Sequence, residues 1–263
     1  MTRENLRYQA KDGIATITLA RPDVLNSMNT ALARELQQVL DEAAGASDVR
    51  ALLLTGEGRA FCAGQDLAEV VPPDGSKGPE LRSVIDQNYN PIVRRIVALE
   101  KPVVCAVNGV AAGAGANLAL CCDIVLAAKN ASFLQAFVNI GLIPDSGGTY
   151  FLPRLLGLPR AKALMMLGER IPAEQALAFG LIWAVHEPER LLPEAQALAA
   201  KLAAMPTLAL GLIKRATNAS LEGTLASQLD LERDLQALAG QSYDYAEGVK
   251  AFQEKRKPRF LGR

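Results

Sequence analysis

The stretch Asn108–Thr149, NGVAAGAGANLALCCDIVLAAKNASFLQAFVNIGLIPDSGGT, holds the features around which the chain is organised. A β-branched run, Val103–Val107, leads into it, and a turn made only of Ala and Gly, Ala111–Ala116, follows. Small side chains let a ligand reach the backbone, so N–H groups at the start of the helix expected over Gly115–Cys122 can meet developing negative charge. That is half of an oxyanion hole. The same composition also serves a tight strand-to-helix crossover, and the run alone does not separate the two. Further on, Asp145 is the one charged residue in Ala131–Leu152.

Outward from this stretch, a second small-residue turn follows the short buried strand Ala51–Thr55: Ala60-Phe61-Cys62-Ala63-Gly64-Gln65-Asp66-Leu67. Both turns follow strands. Ahead of them, Leu6–Gln9 and Ile14–Leu19 alternate around Lys11-Asp12-Gly13, the pattern of a hairpin. Asn29–Ala44 carries Leu32, Leu36, Val39, Leu40 and Ala43 at helical spacing behind a possible Asn29 cap. Val70–Pro79 is rich in Pro, Gly and charge and fits either a lid or a plain surface loop, and Leu81–Leu99 returns to helical periodicity. Ile124–Ala127 is again a strand. Strands alternating with helices argue for an α/β fold with ligand chemistry at the carboxyl ends of the strands. From Pro159 onward the pattern is helical: Arg160–Leu167, Ala173–Phe179, Leu191–Ala204, Thr207–Leu221 and Thr224–Ala239, with Leu181–Val185 as the one strand signal. We divide the chain into a core, residues 1–200, and a C-terminal helical region, residues 201–263.

The 263 residues, half of them hydrophobic, suffice for one substantial core. With 28 basic and 28 acidic residues, no field of one sign recruits nucleic acid or an anionic membrane. Cys62, Cys105, Cys121 and Cys122 lack CxxC spacing and lie among apolar or glycine-rich neighbours, so buried reduced thiols are expected, as in a cytoplasmic protein. No apolar signal region opens the chain. Pro102–Cys122 is uncharged over 21 residues, yet Asn108, Asn117 and three glycines argue against a membrane span. Asp145-Ser146-Gly147-Gly148 imitates a serine-protease signature, but the single histidine, His186, lies beside Trp183 in a strand-like segment, and both are expected to be structural.

Together, Arg21-Pro22 with Leu25-Asn26, Ala60–Gly64 with Asp66-Leu67, Lys101-Pro102 with Asn108-Gly109, Asp123-Ile124, Gly147-Gly148, Ala176 with Gly180-Leu181, and Phe252 with Lys255-Arg256 resemble the crotonase (enoyl-CoA hydratase/isomerase) superfamily. The resemblance runs from about Leu6 to Phe260. It implies a spiral of ββα units whose C-terminal helices build homotrimers or dimers of trimers. It also implies an acyl-CoA substrate whose thioester oxygen is held by two backbone N–H groups, here those of Gln65 and Ala114. Losing one such donor typically costs about 3 to 4 kcal/mol of transition-state stabilisation. By the same resemblance, Val24, Leu25, Ala63, Asp66 and Leu67 line the coenzyme A arm, and Phe252 and Lys255 reach a neighbouring subunit's ligand. The basic run Lys255-Arg256-Lys257 also fits a solvated helix end.

Hydratases of that family use two glutamates, and the matching positions here are Asn117 and Phe137. Neither can accept and return a proton, so paired-carboxylate water addition is disfavoured, while both positions stay in the expected substrate-binding set. Some isomerases and the dehalogenases of the family place a catalytic aspartate where Asp145 stands. Its apolar neighbours Leu142, Ile143 and Pro144 are expected to raise its pKa by desolvation; the plainer role is a turn cap. Tyr89-Asn90-Pro91, Ala111–Ala116, Gly141–Thr149 and Gln228–Asp234 are most similar to the isomerases of phenylacetate breakdown, which imply conversion of ring-1,2-epoxyphenylacetyl-CoA to an oxepin-CoA. A fatty Δ3-Δ2-enoyl-CoA isomerase, a hydratase, and a non-catalytic CoA- or RNA-binding member are the alternatives. The resemblance implies no metal and no cofactor beyond coenzyme A carried by the substrate.

Overall fold

A computed structural model describes residues 3–70 and 78–263. The hairpin forms where the alternation places it: β1 (Leu6–Lys11) and β2 (Ile14–Leu19) pair antiparallel. Between them Asp12 and Gly13 have φ of 53° and 80°. Positive φ at both central residues matches the twist of the strands, which is why Asp-Gly suits the turn. Asn29 caps α1 (Thr30–Gly45), its side chain accepting the Leu32 N–H at 2.8 Å, and the apolar stripe of α1 is buried.

Three runs too apolar to alternate become the centre of a sheet: β3 (Ala51–Gly56), β5 (Val103–Val107) and β7 (Ile124–Ala128). Parallel strands covered on both faces favour such runs. With β10 (Ala184–His186) they complete a six-stranded sheet in the order β1-β2-β3-β5-β7-β10, parallel beyond the first hairpin.

A second sheet was not legible as strands. It consists of β4 (Ala60–Cys62), β6 (Val110–Ala112), β8 (Ser132–Leu134) and β9 (Arg170–Pro172), three residues each, in the order β4-β6-β8-β9. Ala60–Cys62 and Ala111-Ala112, expected as parts of turns, are therefore strand. Three residues are too few to display a period of two. The chain alternates between the sheets and then crosses by a helix: β3, β4 and α4 (Asn90–Ala98); β5, β6 and α5 (Ala114–Leu120); β7, β8 and α6 (Gly148–Leu167). This is the spiral of ββα units.

Helix α6 begins 12 residues before the expected start at Arg160 and breaks at Gly157, where φ is 73° and ψ 161°. Two glycines and Pro153 argue locally against its first half, and the burial of Leu152 and Leu156 outweighs them. Beyond it come α7 (Ala173–Ala178), α8 (Pro188–Ala203), α9 (Thr207–Ala219), α10 (Leu225–Gly240) and α11 (Tyr243–Gln253), the last not anticipated from its mixed sequence. Lys214 of α9 locks this region to the core, donating to Asp123 Oδ2 at 2.9 Å and to the Ile96 carbonyl at 2.6 Å. Burial raises the Asp123 pKa despite the opposing pull of Lys214.

Pro102–Cys122 resolves into two strands and a helix, and among the described residues no single helix is long and apolar enough to cross a membrane. All four cysteines are buried free thiols. Trp183, expected to be structural, is 72% exposed.

Candidate active site

The two small-residue turns meet. After β4 the chain turns at Gly64 (φ 96°), and after β6 it turns at Gly113 (φ 52°, ψ −126°), both conformations that a side chain resists. A Cβ placed on Gly64 would lie 2.9 Å from the Ala112 carbonyl oxygen and 3.7 Å from the Ala114 nitrogen. Contact that close between two backbones tolerates no side chain. A bridge between Met28 and Gln65 fixes the first turn, with Met28 donating to the Gly64 carbonyl at 2.7 Å and Asp66 donating back to Met28 at 3.0 Å. Among the described residues, no acceptor takes the N–H of Gln65 or of Ala114. Both residues line one cavity of about 510 Å³, so two free donors face the same space as a prospective ligand.

Asp145 enters that cavity from the loop ahead of α6, and among the described lining residues it is the one formal charge. Its backbone is held firmly: the carbonyl accepts from Asn117 Nδ2 at 2.9 Å and from the Gly148 N–H at 2.8 Å. Ser146 and Gly147 follow with φ of 50° and 81°, turning the chain sharply into α6. The carboxylate accepts the Ser146 hydroxyl at 2.8 Å. Burial raises its pKa and outweighs the lowering by that hydrogen bond. A carboxylate displaced upward in this way both takes and returns a proton more readily near neutral pH.

Phe137, Leu81, Ile85, Ala136, Ile140, Leu142 and Ile143 supply apolar walls. The Phe137 ring packs 3.7 Å from the position a Cβ on Gly113 would take. Asn117, expected in the substrate-binding set, is fully buried, is not among the residues lining the cavity, and spends its amide on Asp145 and on Gln135 Nε2, which donates to it at 2.9 Å. Its amide is thereby tied to the backbone of the Asp145 loop. Ala63 and Leu67, the latter opening α2 (Leu67–Val70), line the cavity, whereas Val24, Leu25 and Asp66 do not.

Those three belong to a braced neighbouring loop. Leu25 and Asn26 both have positive φ, 54° and 55°. The strain is held by Asn26, which donates to the carbonyls of Glu57 and Ala60 at 2.9 and 2.8 Å, and by the Arg21–Asp66 ion pair at 2.9 Å. Ala63 N–H donates to Leu25 at 3.0 Å, tying the loop to the first turn. Phe252 is 85% exposed near the end of α11 and, like Lys255, does not line this cavity. Residues 71–77 of the expected lid loop lie outside the described residues.

Sequence reasoning gave no role to several residues that the fold brings to the site, above all Asn90 and Asn139 in the wall and Tyr89 behind it. Burial strongly raises the Tyr89 pKa, and the nearby Asp145 charge adds to it, so the phenol stays protonated. Cys62, buried under the first turn, is pushed up to about 11 by burial and is no nucleophile at neutral pH.

Paired backbone donors and one half-buried acid lining an apolar cavity are the equipment for stabilising an enolate, and comparison with known proteins gives the lineage. The enoyl-CoA hydratase/isomerase family model matches residues 9–263. The chain belongs to that family. Over 261 residues it is 53% identical to the 1,2-epoxyphenylacetyl-CoA isomerase of Escherichia coli K12, covering 99% of each chain. A probable enoyl-CoA hydratase of Rhodobacter capsulatus is 46% identical over 263 residues and the full length of both. Among solved structures of the family, a putative enoyl-CoA hydratase from Streptomyces coelicolor A3(2) superposes with a TM-score of 0.93 at 40% identity, covering 100% of this chain and 96% of the other. The family's relatives thus carry both isomerase and hydratase names, and the site must decide between them.

Proposed function

We propose that this crotonase-family enzyme is an acyl-CoA isomerase that converts ring-1,2-epoxyphenylacetyl-CoA to the seven-membered oxepin-CoA. The observation that carries the reading is that, among the described residues, Asp145 is the single carboxylate lining the cavity, together with Gln65 and Ala114, whose N–H groups have no acceptor there. Support also comes from the full-length similarity to the Escherichia coli isomerase. One carboxylate suffices to move one proton, whereas adding water takes a group to activate the water and a group to protonate carbon.

In this mechanism the thioester oxygen accepts the N–H groups of Gln65 and Ala114. Asp145 takes a proton from the carbon next to the thioester, and the electron pair delocalises onto that oxygen as an enolate. The epoxide's shared ring bond opens to the seven-membered ring, and Asp145 returns the proton at a ring carbon, so substrate and product are isomers. Gln65 and Ala114 act through backbone, which leaves their side chains free to vary. The walls around Phe137 accept a ring. On the same reading the enzyme is a cytoplasmic homotrimer or dimer of trimers, Phe252 and Lys255 act across a subunit boundary, Val24, Leu25, Asp66 and Leu67 hold the coenzyme A arm, and no separate cofactor is used.

The test is chromatographic product analysis with freshly generated ring-1,2-epoxyphenylacetyl-CoA, a 3-enoyl-CoA and crotonyl-CoA in parallel. Oxepin-CoA formation that disappears in Asp145→Asn supports the proposal. Conversion of the 3-enoyl ester alone assigns the enzyme to fatty-acid double-bond isomerisation, and brisk hydration of crotonyl-CoA overturns the isomerase reading.

A further inference from the structure

The helical segment facing Asp145 is irregular in a way that serves the cavity. Between α3 (Leu81–Val84) and α4, residues Ile85–Tyr89 form a π turn, closed by the Asn90 N–H on the Ile85 carbonyl. In a regular α-helix, positions five apart lie about 140° apart around the axis at 3.6 residues per turn. The wider turn stacks residue 90 over residue 85, and both line the cavity. Such insertions are frequent at functional sites.

The irregularity also has costs that the surrounding structure meets. Asn90 is helical (φ −55°, ψ −41°) although Pro91 follows it, a conformation disfavoured before proline. Pro91 has no N–H to give to the preceding turn. Gln37 of α1 supplies the missing donor, its Nε2 reaching the Gln87 and Asn88 carbonyls at 3.0 and 3.3 Å. Asn88 in turn donates to Thr30 Oγ1 at 3.1 Å. The turn is thus braced from outside while the Asn90 side chain has no hydrogen-bond partner among the described residues.

We propose that the Asn90 side-chain amide is the donor that holds the ring oxygen of the substrate and so selects an oxygenated ring over a plain hydrocarbon. This rests on the reading of the substrate given above. An epoxide or oxepin oxygen is neutral and accepts only, and inside apolar walls it loses its water. Asp145, when ionised, cannot donate. Ser146 gives its proton to Asp145, and Asn139 donates to the Gly168 carbonyl at 3.3 Å. Thr149 is exposed at the rim, and Gln65 sits on the turn assigned to the thioester oxygen. Asn90 lines the same cavity as Asp145 but from a different element, at the end of the π turn.

The experiment compares wild type with Asn90→Leu, which keeps the side chain's approximate size and removes the donor. Two readouts separate the roles: kcat/KM for ring-1,2-epoxyphenylacetyl-CoA, and calorimetric Kd for phenylacetyl-CoA, whose ring carries no oxygen. The expected result is a loss of about ten- to a hundredfold in kcat/KM, as for a buried acceptor left unpaired, with Kd for phenylacetyl-CoA unchanged. Parallel loss of both makes Asn90 a packing residue, and loss of neither shows that no donor is needed there; either outcome overturns the proposal. Wild type that binds phenylacetyl-CoA but leaves the epoxide unreacted overturns the substrate reading as well.

Discussion

Asn117→Ala tests whether the residue that replaces a hydratase glutamate positions the acid. Asn117 is fully buried and bridges two partners, donating to the Asp145 carbonyl at 2.9 Å and accepting from Gln135 Nε2 at 2.9 Å. Truncation removes both bonds, each worth about 1 kcal/mol net. The Asp145 carbonyl keeps the Gly148 N–H, so it is not orphaned. Gln135 fares worse, because its Oε1 already lacks a partner and its Nε2 would lose its only one among the described residues. A buried donor left unsatisfied costs about 1 to 3 kcal/mol, so the whole change amounts to about 2 to 4 kcal/mol of stability. The Asp145 loop would also lose the tether that sets its depth, and a displacement of about 1 Å in a reacting group costs about a hundredfold in rate. Urea unfolding followed by circular dichroism gives the first quantity and single-turnover kinetics the second. A midpoint change equivalent to less than about 1 kcal/mol, or an unchanged chemical step in a destabilised protein, would refute the positioning role.

Three further outcomes follow from the geometry. Asp145→Asn abolishes turnover while leaving the Kd of a CoA ester nearly unchanged. Because burial raises the Asp145 pKa, the acid limb of kcat/KM in wild type lies above the ordinary carboxylate value of about 3.9. The linked stability contribution is present below the unfolded pKa and is lost as pH rises through the folded one, so Asp145→Asn raises the neutral-pH Tm; a lowered Tm or retained turnover contradicts this. Gly64→Ala forces a side chain into φ 96° and within 2.9 Å of the Ala112 oxygen. It tilts the Gln65 N–H, and kcat falls by about 10² to 10³ while soluble protein is still obtained; near-wild-type kcat removes Gln65 from the oxyanion hole. Lys214→Met removes a buried ammonium's bonds to the Ile96 carbonyl and to Asp123, which keeps the Val103 N–H, and costs about 1.5 to 3 kcal/mol in urea unfolding at neutral pH. That cost shrinks as acid protonates Asp123, and a pH-independent loss points to packing instead.

Much of this protein is written locally. The Asp12-Gly13 turn, the Asn29 cap and the apolar runs of β3, β5 and β7 each carry their instruction within a few residues, and the structure follows them. The two glycine turns and the isolated Asp145 were legible for the same reason: glycine is favoured where φ is positive and backbones meet closely, and one charge in an uncharged segment stands out. The second sheet was not, because three-residue strands have no period to show and exist only through their neighbours. Nor could local sequence separate Asn117 behind the wall from Asn90 within it. Both are asparagines within helices, and their depth is fixed by what packs around them. Local propensity is a property of the chain's nearest few residues, whereas which groups face the cavity depends on how β4, β6, the π turn and the start of α6 converge from across 90 residues, and only tertiary packing decides that.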